Sequence, residues 1–159
     1  MASVRTPSRY LSVCVLTAGF IAAFGGGASS KETVLYSFRG GSDGAGPGGP
    51  LIADGSGNLY GTTGGGGGGT GCQGRAGCGT VYRFSPGGTE TLLHAFQGGS
   101  DGAFPSVGVI ADAMGNLFGT TSGGGGFDDG TVFKITADGT ESVLYAFRGG
   151  SDGIAPGGR

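Results

Sequence analysis

Three aspartates recur where glycine-rich loops expose their backbone: Asp43, Asp101 and Asp152 each sit in the run Gly-Gly-Ser-Asp-Gly. Carboxylate and carbonyl oxygens gathered by flexible loops are the hard donor set that Ca²⁺ takes, so these three are candidate calcium ligands. The same residue types also build tight turns, because Asp and Ser bond their own backbone and Gly accepts positive φ. The turn role needs no ligand and takes precedence. His94 is the single histidine and stands where the other copies carry Tyr36 and Tyr145, so it reads as an aromatic strand residue. One imidazole allows neither a His-paired nucleophile recurring from copy to copy nor a multi-histidine metal site. Asp54 and Asp112 each precede an asparagine, Asn58 or Asn116, by four residues and fit hairpin turns. The glycine runs 64–69 and 123–126 lack the Gly-Lys-Ser/Thr ending of a phosphate loop.

These motifs belong to a repeat. Tyr36-Ser-Phe-Arg-Gly-Gly-Ser-Asp-Gly44 returns as His94-Ala-Phe-Gln-Gly-Gly-Ser-Asp-Gly102 and as Tyr145-Ala-Phe-Arg-Gly-Gly-Ser-Asp-Gly153, at spacings of 58 and then 51 residues. Such a period means that one supersecondary unit buries its apolar faces against its neighbours. The unit from Val107 to Phe147 holds four short apolar runs: Val107 to Ala111, Asn116 to Thr121, Thr131 to Thr136 and Thr140 to Phe147. Asp112-Ala-Met-Gly-Asn116 and Ala137-Asp-Gly139 supply hairpin chemistry between them. Four antiparallel strands of this size make one β-propeller blade. The expected fold is therefore all-β, an incomplete propeller of two full blades (residues 50–96 and 107–147) plus one N-terminal outer strand (31–38), with residues 148–159 opening a further repeat. In the outer strand Val143, Tyr145 and Phe147 alternate with Leu144 and Ala146, so both faces ask for cover.

Residues 1–30 read as a secretory signal: Arg5 and Arg9 precede an apolar run from Tyr10 to Phe24, and small residues follow. The expectation is a secreted, periplasmic or cell-surface protein with no membrane span after signal removal. Loss of Arg5 and Arg9 takes the 9 basic residues to 7 against 11 acidic, a net charge near −4. That balance disfavours nucleic acid. Glycine fills 42 of 159 positions, yet it is interleaved with recurring Val, Ile, Leu, Tyr and Phe, which argues for order. Cys72 and Cys78 lie in the insertion that lengthens the first period, and in an oxidising compartment they are expected to form a disulfide. Closing so small a loop contributes about 2 kcal/mol in the chain-entropy model.

Gly130-Thr-Val-Phe-Lys-Ile-Thr-Ala-Asp-Gly-Thr-Glu-Ser-Val-Leu-Tyr-Ala-Phe147, with Leu51-Ile-Ala-Asp54 and Gly57-Asn-Leu-Tyr-Gly-Thr-Thr63, resembles the GloVer tandem repeat of bacterial exported "choice-of-anchor" proteins. The resemblance implies propeller-like repeats on a surface or secreted protein, and supplies no catalytic residues.

Strand alternation gives one inference about a binding surface. With strands running down, up, down, up, the loop between strands two and three emerges with the Gly-Gly-Ser-Asp-Gly connection. That end would gather Arg39, Asp43, Cys72, Cys78, Asp101, Asp128, Asp129, Arg148 and Asp152. Loops on a rigid scaffold are where binding resides. Arg39, Asp43, Asp101, Arg148 and Asp152 are accordingly the candidate ligand-binding residues, for a carbohydrate or envelope component. The favoured function is a non-enzymatic exported binder. A propeller enzyme of lactonase or lyase type and a structural surface spacer are the alternatives. Self-association or further repeats would complete a ring.

Overall fold

The computed structural model describes residues 12–14, 31–72 and 76–157. Apart from β3, which is rich in glycine and proline, its strands are short runs carrying β-branched and aromatic residues: β1 (Ser12–Cys14), β2 (Val34–Ser37), β3 (Ala45–Ala53), β4 (Leu59–Gly65), β5 (Thr80–Phe84), β6 (Glu90–Ala95), β7 (Val109–Ala111), β8 (Leu117–Thr121), β9 (Thr131–Ile135) and β10 (Glu141–Ala146). Single 3₁₀ turns occupy Gly99–Asp101 and Gly150–Asp152. β3 to β6 form one four-stranded antiparallel sheet in sequential order, and β7 to β10 form another. The architecture is all-β, two blade-like sheets in a row, consistent with part of a propeller.

β3 starts at Ala45, ahead of the repeat start expected at Pro50, because Ala45, Pro47 and Gly48 already pair with Gly65, Thr63 and Thr62. The leader read over residues 1–30 lies outside the described residues except for β1, which pairs Ser12 with Ser37 and Cys14 with Val34.

The hairpin turns carry their own acid chemistry. Asp54 Oδ1 accepts the backbone N–H groups of Ser56 and Asn58, both at 2.9 Å, and Oδ2 accepts from Asn58 Nδ2 at 2.8 Å and Tyr60 Oη at 3.0 Å. Asp112 repeats this with Met114 and Asn116. The Asn58 side chain is the main cause that holds the Asp54 carboxyl down at about 2, against 3.8 ordinarily. A depressed carboxyl contributes stability that is complete above its unfolded value and fades as pH falls through its folded value. Denaturant melts are therefore expected to show stability falling between about pH 4 and pH 2, with a shallower fall in Asp54→Asn. An unchanged slope in that variant would show that the turn carboxylate is not responsible.

Two aromatic clusters hold the repeats together. At the seam between the sheets, Phe96 and Phe133 are both fully buried, edge to face at 5.1 Å, among Val81, Val109, Leu117 and Ile135. One repeat earlier, Phe38, at the end of β2, meets Tyr82 at 4.9 Å beside Phe84. β2 thus packs on the first sheet as the end of β6 packs on the second, which is the role of an outer strand belonging to a preceding blade. Among the described residues nothing covers β10 in this way: Val143, Leu144 and Tyr145 are all exposed.

Strict alternation in the outer strands is interrupted. Val81 pairs with His94 but Tyr82 with Leu92, and Val132 pairs with Tyr145 but Phe133 with Val143. One extra residue, Leu93 or Leu144, is accommodated as a bulge at the equivalent place in each repeat. A bulge re-aims the side chains that follow it. In β6 the next residue is His94.

Candidate functional site

The three Gly-Gly-Ser-Asp-Gly loops have one construction. Each aspartate accepts the backbone N–H four residues before it, Arg39 for Asp43 (2.8 Å), Gln97 for Asp101 (2.7 Å) and Arg148 for Asp152 (2.8 Å). Each also engages the ring seven residues before it: Tyr36 Oη donates to Asp43 (3.1 Å), Tyr145 Oη donates to Asp152 (2.6 Å), and His94 Nε2 lies 3.1 Å from Asp101. The three aspartates stand in three separate loops, each bonded within its own, as a turn residue would be.

The glycine that closes the motif has a specific reason. Gly102 has φ 92° and ψ 168°, a region essentially reserved for glycine. A Cβ there would lie 2.8 Å from both Thr121 Oγ1 and Thr131 Oγ1. Those two hydroxyls are buried and bonded to each other at 2.8 Å, and Thr63 and Thr80 form the same pair beneath Gly44. The second Thr of each Gly-Thr-Thr run is therefore a buried strut of the loop.

At the seam, β6, the 3₁₀ turn and β10 bring His94, Asp101 and Glu141 together, with one ligand-capable atom of each lying within 4.8 Å of the others. His94 stacks edge-on against Phe96 at 4.7 Å, so its aromatic packing role is real, and the bond to Asp101 is additional. Glu141 Oε1 is buried with no hydrogen-bond partner among the described residues. Burial, and then the charge of Asp101, pushes the Glu141 carboxyl up to about 7. One repeat earlier, Tyr36, Asp43 and Glu90 occupy the equivalent positions. Glu90 Oε1 is likewise buried and unpartnered, and burial followed by the Asp43 charge raises its carboxyl.

A recess of about 320 Å³ opens between the two repeats, lined by Gly71, Cys72, Gly98, Gly99, Ala103, Phe104 and Asp128. It joins the β4–β5 insertion, the second Gly-Gly-Ser-Asp-Gly loop and the β8–β9 loop. Cys72 and Cys78 are disulfide-bonded with Cα atoms 5.4 Å apart, which fixes the wall of the insertion. Asp128 Oδ1 accepts the Gly124 N–H, which orients its carboxylate within the β8–β9 loop. Phe104 has φ 62°, and its equivalent in the first repeat is Gly46 at φ 63°.

A family model of the Gloeobacter/Verrucomicrobia repeat matches residues 18–159. The chain belongs to that family. No curated protein and no solved structure matches it. In this Gloeobacter/Verrucomicrobia repeat protein, the residues named from sequence divide into two groups. Cys72 and Asp128 line the recess, and Asp101 closes the turn beside it. Arg39, Asp43, Arg148 and Asp152 do not line it: Arg39 is exposed, and Arg148 lies over the Phe127 ring at 6.0 Å. Sequence reasoning passed over Phe104 and Glu141. The signal for Phe104 was a bulky residue where the other copies carry Gly46 and Ala155, and for Glu141 it was the recurrence of Glu90 at the same place.

Proposed function

We propose that this member of the Gloeobacter/Verrucomicrobia repeat family is an exported, non-enzymatic binding protein that takes a carbohydrate of the envelope or surroundings in the recess between its repeats. The observation that carries this reading is the lining: the glycine backbone at Gly71, Gly98 and Gly99, one aromatic residue, Phe104, and one carboxylate residue, Asp128. An apolar ring with a few convergent polar groups suits a sugar, which offers C–H faces and hydroxyls together. The volume, about 320 Å³, falls at the lower end of ligand pockets, about 300–1,000 Å³. Glycoside hydrolysis ordinarily uses two carboxylates, whereas Asp128 alone lines this recess among the described residues, so the arrangement supports binding.

Titration of the purified protein with a panel of bacterial envelope oligosaccharides, read by NMR shifts or calorimetry, tests the proposal. Phe104→Gly removes the ring while adopting the residue of the first repeat. It is expected to weaken binding about tenfold or more, as for truncation of an aromatic contact contributing about 1.4 kcal/mol or more. No saturable binding across the panel, or binding indifferent to Phe104→Gly, would overturn the proposal.

A further inference from the structure

We propose that His94, Asp101 and Glu141 form a binding site for one divalent transition-metal ion, Zn²⁺ or Mn²⁺, that ties the two repeats together across their seam. The three residues come from different places in the chain, β6, the 3₁₀ turn after it and β10 of the next repeat, and their ligand atoms all lie within 4.8 Å of one another. Ligands bound to a common ion at about 2.0–2.2 Å stand roughly 3.0–3.4 Å apart when adjacent, and up to about 4.4 Å when opposite. His94 Nε2 and Asp101 Oδ1, at 3.1 Å, already have the adjacent spacing.

A second observation points the same way. Glu141 Oε1 is buried beside Asp101 with no hydrogen-bond partner among the described residues, although a buried oxygen normally has one. Two carboxylates at such range repel, and a divalent cation between them would offset both the repulsion and the missing hydrogen bond. The donor set selects among ions. Ca²⁺ takes six to eight oxygens, whereas one imidazole with two carboxylates suits Zn²⁺ or Mn²⁺. Asp101 Oδ2 is held by the Gln97 N–H at 2.7 Å, and the His94 ring is fixed edge-on to Phe96, so two of the three ligands are oriented in advance.

The protein contains its own comparison. At the preceding seam the same geometry carries Tyr36, Asp43 and Glu90, and Tyr36 spends its hydroxyl on Asp43. Burial raises that phenol above its ordinary 10, so it stays protonated and is no ligand. The only difference in residue type between the two constellations is Tyr36 against His94. This inference does not depend on the sugar recess.

The test uses untagged full-length protein carrying Cys14→Ser, which removes the thiol outside the disulfide as a rival ligand. Calorimetric titration with Zn²⁺ and with Mn²⁺ is expected to give one ion per chain and a rise in Tm. His94→Tyr installs the residue found at both equivalent positions, so the fold is retained. It is expected to weaken uptake about tenfold or more, at least the effect that outer-sphere changes produce. Tyr36→His should create a second site and raise the stoichiometry to two. Absence of saturable uptake up to millimolar metal overturns the proposal, and so does uptake that a folded His94→Tyr protein leaves unchanged.

Discussion

Phe133→Ala is expected to lower the unfolding free energy by about 3–5 kcal/mol, the cost of removing a fully buried phenylalanine from a core that closes over the space only in part. Phe133 has no exposed surface and meets Phe96 of the preceding repeat edge to face at 5.1 Å, so the loss falls on the seam. In a repeat protein, total stability is the sum of each unit and the interface between units. Removing the interface should therefore lower cooperativity as well as midpoint, and urea melts followed by circular dichroism would show a broadened or two-step transition. Phe96→Ala should do nearly the same. The double variant should cost less than the sum of the two, because each partner's contribution includes the other's ring. A loss below about 1 kcal/mol in Phe133→Ala would mean that the two sheets do not share this core.

Gly102→Ala is expected to cost about 3 kcal/mol, from backbone strain of the order of 1–3 kcal/mol together with a steric clash. The methyl would meet Thr121 Oγ1 and Thr131 Oγ1 at 2.8 Å, and both belong to the buried pair under the loop. Gly139→Ala is the control for positive φ: its φ of 89° is nearly the same as the 92° of Gly102, but no atom of the described residues lies within 4 Å of the added carbon. Its cost should be the strain alone, about 1 kcal/mol. Equal losses in the two variants would remove the threonine pair as the reason for that glycine. The loop also carries Asp101, so Gly102→Ala should loosen the seam along with the turn.

Much of the fold was legible because its signals are local. The four strands of the second repeat, expected over 107–111, 116–121, 131–136 and 140–147, are found as Val109–Ala111, Leu117–Thr121, Thr131–Ile135 and Glu141–Ala146. Alternating apolar residues and Asx-Gly turns need only their neighbours to be read. The bulges at Leu93 and Leu144 were not legible, because an unbroken apolar run looks the same with or without an extra residue in the ladder. They matter for the site, since the bulge in β6 immediately precedes His94. The threonine pairs were hidden for a related reason: Thr63 and Thr80 are 17 residues apart and Thr121 and Thr131 are 10 apart, and a β-rich sequence has threonine in many places.

Alternation and the backbone preferences of Gly, Asp and Asn act locally, so the repeat, its strands, its turns and the acidic residue that closes each loop can all be read along the chain. Which side chains meet across the seam depends instead on how the two sheets pack. Glu141 comes from the repeat after His94 and Asp101, so no spacing rule in one chain segment relates them. Phe96 and Phe133 must first stack one sheet on the next, and that burial of aromatic surface then places two carboxyl groups and an imidazole within reach of one another.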